Sequence, residues 1–184
     1  MIILGLGSNV GDRIKYLEQA IQMLSENVLT AIQISPIYES DALLPTNSPE
    51  SWDKTFLNLA ITGETHLSAD SLLHYIKRIE HSMGRKNTGV WSPREIDIDI
   101  LAYGNSVINE SSLIIPHKGL IERPFALFPL ADLAPNWRYP APGEYEGKTA
   151  FEISGMILHS FNIKKTELEL FATQEDEETG KEVA

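Results

Sequence analysis

The chain contains no cysteine. That absence excludes disulfides, thiolate zinc sites, iron–sulfur clusters and a cysteine nucleophile. No apolar run approaches the roughly 18–20 residues needed to span a bilayer. The apolar start, Met1 to Leu6, lacks a basic leader and runs into Gly7-Ser8-Asn9, so it is expected to be a buried strand rather than a signal peptide. Positive charge is scarce. Lys and Arg number 15 against 26 Asp and Glu, a formal net charge of −11. Such a balance opposes a surface made for nucleic acid or an anionic membrane. Much of the excess lies between Glu167 and Ala184, which leaves the body closer to balance and able to hold a basic pocket.

What remains is ordinary globular material: 184 residues, 42% hydrophobic and 22% charged. That suits one domain with a real core. We expect a single domain over 1–165 and an acidic, flexible tail over 166–184. The expected compartment is the cytoplasm, and the expected state a monomer, with a dimer left open.

Ile2 to Leu6 reads as a core strand, followed by a turn at Gly7-Ser8-Asn9-Val10-Gly11. Asp12 is placed to cap a helix carrying Ile14, Leu17, Ile21 and Leu24 on one face. A strand over 32–38 precedes a long polar loop, 39–52, and a strand over 56–63. Ser68 then caps a second helix bearing Leu72, Ile76, Ile79 and Met83, closed by Gly84. A second long loop, 85–94, leads into a strand over 95–103. Later come a short strand at 113–115, a helix over 123–133 and a last helix over 149–161. The order β-α-β-β-α-β predicts an α+β, ferredoxin-like antiparallel sheet with helices packed on one face, plus two long active-site loops.

The most informative segment is Glu95-Ile96-Asp97-Ile98-Asp99-Ile100. On a strand, alternate residues share a face, about 6.5 Å apart. The three isoleucines therefore face the core, and Asp97 and Asp99 share the opposite face. Two carboxylates so close repel one another and need a counter-ion, unless the face is simply solvated. Hard oxygen donors with no nearby His or Cys suit Mg²⁺, which completes its shell with water and phosphate oxygens. Arg85, Lys86, Trp91 and Arg94 flank the pair, and His117, Lys118 and Arg123 follow it. Cations around a carboxylate-held metal are what phosphoryl transfer requires. His66, His74, His81 and His159 have no metal-ligand spacing. Gly5-x-Gly7 lacks the third glycine of a dinucleotide fingerprint, and Gly84-Arg85-Lys86 is not a Walker loop.

Leu6-Gly7-Ser8-Asn9-x-Gly-Asp12, Asn58 after Phe-Leu, Glu80-x-x-x-Gly84-Arg85, Trp91-x-Pro93-Arg94-x-x-Asp97-x-Asp99-Ile100 and Pro116-His117 occur in that order. Together they resemble the 6-hydroxymethyl-7,8-dihydropterin pyrophosphokinase family over residues 2–133. The resemblance implies transfer of the diphosphate of ATP to a reduced pterin in folate biosynthesis, with release of AMP. It implies that Asp97 and Asp99 hold two Mg²⁺ ions, with Arg85 and Arg94 joining them in catalysis. It further implies ATP contacts from Lys77, Glu80, Arg85, Lys86, Trp91, Arg94, the backbone of Ile100, His117, Lys118 and Arg123. The pterin is implied to meet Ser40, Leu43, Phe56, Asn58, Trp91, Asp97 and Phe125. Two aromatics suit a flat heterocycle, and an amide offers its edge both a donor and an acceptor. Core packing is the competing reading of Phe56 and Phe125, and a satisfied buried amide that of Asn58.

Several positions depart from the family pattern. Val90 and Ser92 replace Arg and Gly around Trp91, and the loop before Trp91 is shorter. Ser112 stands where some members carry Arg, Lys118 where an aromatic is frequent, and Ser40-Asp41-Ala42 where Thr-Pro-Pro is usual. Most of these bear on ATP affinity and loop closure. Two other readings of the residues stay open: a different Mg²⁺-dependent nucleotide transferase with a DxD site, and a non-catalytic ferredoxin-like binding module.

Overall fold

Strand β1 (Ile2–Ser8) occupies the middle of the sheet, which explains its apolar composition. The computed structural model describes residues 1–85, 91–157 and 161–171. On one side β1 pairs antiparallel with β5 (Asp97–Tyr103), and on the other with β4 (Phe56–Glu64). The far edge of β4 is shared by β2 (Thr30–Ile34) and β3 (Tyr38–Ser40), and β3 also pairs with β8 (Ile163–Lys165). The order β5-β1-β4-β2 is that of the expected ferredoxin-like sheet. A separate ribbon joins β6 (Ile108–Asn109) to β7 (Ile114–Ile115).

Helix α1 (Arg13–Asn27) starts where the Asp12 carboxylate accepts the Lys15 N–H at 3.1 Å. Helix α2 (Ala69–Ser82) starts likewise at Ser68, whose hydroxyl accepts the Ser71 N–H at 3.2 Å. It stops at Gly84, where φ is +97°, a value that suits a residue without Cβ. Leu17 and Leu24 of α1 and Leu72 and Ile76 of α2 pack with Leu4, Leu6, Leu57, Leu59, Ile98 and Ile100 on the first sheet face. Isoleucine alternation in β5 thus has the expected partner.

The helices are not confined to that face. Helices α3 (Pro124–Leu133) and α4 (Ala150–Met156) cover part of the second. Leu130, Ala131, Trp137 and Ala150 pack there against Ile3, Ala60, Leu101 and Ala102. These sheet residues sit toward one end of the strands. The other end of the second face, bearing Gly5, Gly7, Phe56, Asn58, Asp97 and Asp99, stays open and becomes a cavity.

Other expectations are corrected. The strand expected over 32–38 splits in two. Pro36 has no N–H to donate, and Ser35 turns its hydroxyl to accept the Ala60 N–H at 2.9 Å instead. Gly7 and Ser8, read as turn, belong to β1. The first long loop begins after Ser40 and contains a 3₁₀ turn, Glu50–Trp52. Helix α4, held by a Thr149–Glu152 capping box, ends at Met156 rather than 161. Lys86, Gly89, Val90, His159 and the tail from 172 onward lie outside the described residues. No helix among the described residues is long and apolar enough to cross a membrane.

Candidate active site

The open end of the second face forms a cavity of about 640 Å³. Its floor is sheet. Asp97 and Asp99 come from β5, and opposite them on β1 stand Gly7 and Gly5. Both glycines line the cavity, and neither was anticipated as part of a site. The signal was the same two-residue alternation that picked out the aspartates: Ile3, Gly5 and Gly7 share a face. A Cβ on Gly7 would lie 3.1 Å from Asn58 Oδ1, and one on Gly5 would lie 3.2 Å from the Leu101 side chain.

One wall is aromatic and amide. Phe56 and Asn58 of β4, Ser40 of β3, Leu43 of the first loop and Phe125 in the first turn of α3 all line the cavity. Asn58 Nδ2 donates to Ser40 Oγ at 3.0 Å, so one amide donor is held by a partner. Phe56 and Phe125 are only partly buried and belong to neither core cluster. Cavity lining, not core packing, is their place in the fold.

The other wall is cationic. Lys77, Arg85, Arg94, His117, Lys118 and Arg123 line it, with Trp91 at its rim. Two backbone devices set it. Asn9 Oδ1 accepts the Arg94 N–H at 2.8 Å while the Asn9 N–H reaches the Arg94 carbonyl at 3.2 Å. The Gly-Ser-Asn opening thereby fixes the segment entering β5. Gly119 lets the Arg123 side chain lie across it, since a Cβ there would come within 2.5 Å of Arg123 Nε.

Asp97 accepts from Arg85 Nη1 at 2.7 Å and from Arg94 Nη1 at 3.2 Å. Desolvation opposes its charge, yet Arg94 and Arg85 together win and hold its carboxyl below the usual range. Among the described residues, the group at salt-bridge distance from Asp99 is the His117 imidazole rather than a guanidinium. Burial at the cavity floor, then the Asp97 charge, push its carboxyl up to about 7. His117 Nε2 lies 3.8 Å from Asp99 Oδ2. Burial and the charge of Arg123 lower its imidazole to about 4, so it is neutral at pH 7 and this contact is not an ion pair. Its Nδ1 accepts the Gly119 N–H at 3.2 Å, which leaves the proton on Nε2, aimed into the site.

Glu80 and Ile100 are not brought to the cavity wall. Ile100 is a core residue, which leaves its backbone as the only part able to meet a ligand. Glu80 is 2% exposed and lies under the site. Its Oε1 accepts the Ile98 N–H at 2.8 Å on the free edge of β5, and the same oxygen is paired with Arg85 Nη1. Its Oε2 accepts from Lys77 Nζ at 2.9 Å. It therefore orients two cations of the wall. Glu80→Ala should lose about 2–3 kcal/mol, because it orphans a buried N–H and breaks a largely buried ion pair. Glu80→Gln, which keeps an acceptor for Ile98, should lose less. Urea denaturation of both variants checks the ranking, and equal losses would contradict it. A second hollow of about 480 Å³ adjoins at Lys77 and is bounded by Leu73, His74, Arg78, His81 and Ser112.

Fold and site together define a small ferredoxin-like α+β protein with a carboxylate pair between an aromatic slot and a cationic wall. A family model described as 7,8-dihydro-6-hydroxymethylpterin-pyrophosphokinase (HPPK) matches residues 3–135, and the chain belongs to that family. It is 44% identical over 139 residues to a 2-amino-4-hydroxy-6-hydroxymethyldihydropteridine pyrophosphokinase of Aquifex aeolicus, covering 76% of this chain and 83% of the relative. It is 41% identical over 170 residues to a folate synthesis bifunctional protein of Chlamydia caviae, covering 88% of this chain and 38% of that protein. The chain thus spans less than two fifths of the bifunctional relative's length. Among solved structures, wild-type Plasmodium falciparum HPPK-DHPS superposes with a TM-score of 0.61 at 17% identity, over 84% of this chain and 44% of that one. That likeness is one of fold.

Proposed function

We propose that the protein transfers the diphosphate of ATP to the hydroxymethyl group of 6-hydroxymethyl-7,8-dihydropterin in the cytoplasm, yielding the pterin diphosphate and AMP. One observation carries this reading. The Asp97–Asp99 pair stands between a slot suited to a flat heterocycle and a wall suited to a polyphosphate. In the reaction the hydroxymethyl oxygen gives up its proton and attacks the β-phosphorus of ATP. The bond from that phosphorus to the α,β-bridging oxygen breaks, and AMP leaves.

The donor set fits Mg²⁺. Among the described residues no three or more His, Cys, Asp or Glu side chains gather as metal ligands. A lone carboxylate pair suits a metal that draws its other ligands from water and phosphate. The raised affinity of Asp99 for a proton marks negative charge that a cation would compensate. Asp97 and Asp99 would hold two such ions, which when bound would neutralise charge on the phosphates and on the attacking oxygen.

The remaining roles fall to side chains. Phe56 and Phe125 would sandwich the pterin, Asn58 and Ser40 would meet its polar edge, and Leu43 and Trp91 would close over it. Arg94, Lys118, Arg123 and neutral His117 would bind phosphate oxygens, with Lys86 a further cation of the second loop. Lys77 lines both hollows, so the base and ribose would lie in the second, beside the Ile100 backbone on the free edge of β5. A different nucleotide transferase or a binding module would leave the aromatic–amide slot without a purpose.

The deciding assay follows AMP formation with and without the reduced pterin. AMP that appears only with pterin supports the proposal; ADP, or AMP without pterin, rejects it. Phe56→Ala and Phe125→Ala should each weaken pterin binding by roughly two- to tenfold beyond lost area while sparing ATP. Calorimetric titration of each ligand checks this, and equal losses for both would return these aromatics to a packing role.

A further inference from the structure

The C-terminal strand lies beyond residues 3–135, the part that matches the family model. Residues 161–165 contribute nothing to either core cluster, and none of them is buried. Their contacts are nonetheless concentrated on the two sides of the aromatic slot.

On one side, β8 pairs antiparallel with β3, setting Ile163 opposite Ser40 and Lys165 opposite Tyr38. The pairing continues past the strand. The Asp41 N–H donates to the Asn162 carbonyl at 3.2 Å, and Asn162 Nδ2 donates to Asp41 Oδ1 at 3.2 Å. Ser40 and Asp41 both line the cavity. The point where the first loop leaves β3 is thereby fixed.

On the other side, the segment holds α3. Lys165 Nζ and Tyr38 Oη both donate to Asp132 Oδ2, each at 2.9 Å. The Phe161 ring lies 5.8 Å from that of Phe125, tilted by 47°. Phe161 itself does not line the cavity; it rests on the aromatic that does. One short strand is therefore tied both to the loop side and to the ring side of the slot, which makes it a strap across them.

We propose that this strand positions the acceptor slot, and that Phe161 is a positioning residue which acts through Phe125. The inference rests on the pterin assignment above. Without Phe161 the Phe125 ring gains rotational freedom that binding must then remove, so affinity for the flat acceptor falls, while Lys77, Arg85, Arg94 and His117 of the phosphate wall, on other elements, are untouched.

The test measures binding of the reduced pterin in the presence of Mg²⁺ and a non-hydrolysable ATP analogue, and binding of the analogue alone. Wild-type protein that binds no pterin would reject the assignment of the slot, and the strap with it. Given wild-type binding, Phe161→Ala should weaken pterin binding roughly two- to tenfold and leave the analogue within about twofold. Phe161→Tyr, which keeps the ring, should restore affinity. In a Phe125→Leu background, Phe161→Ala should add no further loss, since the ring it orients is gone. Unchanged pterin affinity in Phe161→Ala would overturn the inference. So would a fully additive loss in the double variant, or equal losses for both ligands.

Discussion

Asp97→Ala and Asp99→Ala should each lower turnover by at least about a thousandfold, the scale expected when metal stabilisation of a transferring phosphoryl group is lost. Their stabilities should differ. Asp97 is the anion shared by Arg85 and Arg94, and its loss takes that carboxylate from both guanidiniums, although Glu80 still holds Arg85. A loss of about 1–2 kcal/mol is expected. Asp99 is held against desolvation and a like charge, so its removal should leave stability unchanged or raised. The same physics sets a pH dependence. Because the Asp99 carboxyl titrates at about 7 without metal and only its ionised form can hold Mg²⁺, affinity should weaken as pH falls from 8 to 6. Calorimetry with Mg²⁺, turnover assays and thermal melts measure the three effects. Near wild-type turnover in either variant at saturating Mg²⁺, or flat Mg²⁺ affinity across that range, would remove the pair from the metal site.

Arg85→Ala should lower turnover by a comparable factor, roughly a thousandfold, with little change in affinity for ATP or pterin. The structure gives a reason for that split. In the free protein Arg85 is held by Glu80 and by Asp97 Oδ1, so its guanidinium would compete with a cation for the Asp97 carboxylate. On the proposed reading, its removal would free the Asp97 carboxylate for Mg²⁺ while taking a cation from the phosphates, and the two effects would oppose one another in ground-state binding. Charge that develops during transfer has no such compensation. We further expect the two loops to close over bound substrates and exclude water. Hydrogen exchange over 41–52 and 85–94, with and without an ATP analogue and pterin, reads that motion. Unchanged exchange, with an Arg85→Ala variant that loses affinity but keeps its turnover, would make Arg85 a ground-state clamp.

Local rules carried much of the architecture. Asp12 and Ser68 cap the helices they were expected to cap, and the Ile96–Ile100 alternation divides a core face from a site face. What failed was long-range or had no local period. The second helical layer went unseen because α3 is apolar almost all round and carries Pro129 in its interior, so its pattern names no face. No local pattern marks strand β8, because three residues, two of them lysines, show no alternation; it exists through pairing with β3. The family resemblance implies an ATP contact from Glu80, whereas the structure buries its side chain on the inward face of α2, against Lys77 and Arg85. No sequence pattern tells a buried carboxylate that orients cations from an exposed one that meets a ligand.

Gly5 and Gly7 make the cleft's dimensions adjustable one methyl at a time. Both occupy ordinary extended backbone of β1, so alanine can be accommodated there without backbone strain. A methyl at Gly7 would press on Asn58 and Phe56, whereas one at Gly5 would press on Leu101 beside Asp99. The first would raise the floor beside the aromatic and amide wall, and the second the floor beside Asp99. The central strand thus carries two separate depth stops, and a single added carbon at either would make the cavity shallower at that point while the other stayed as it was.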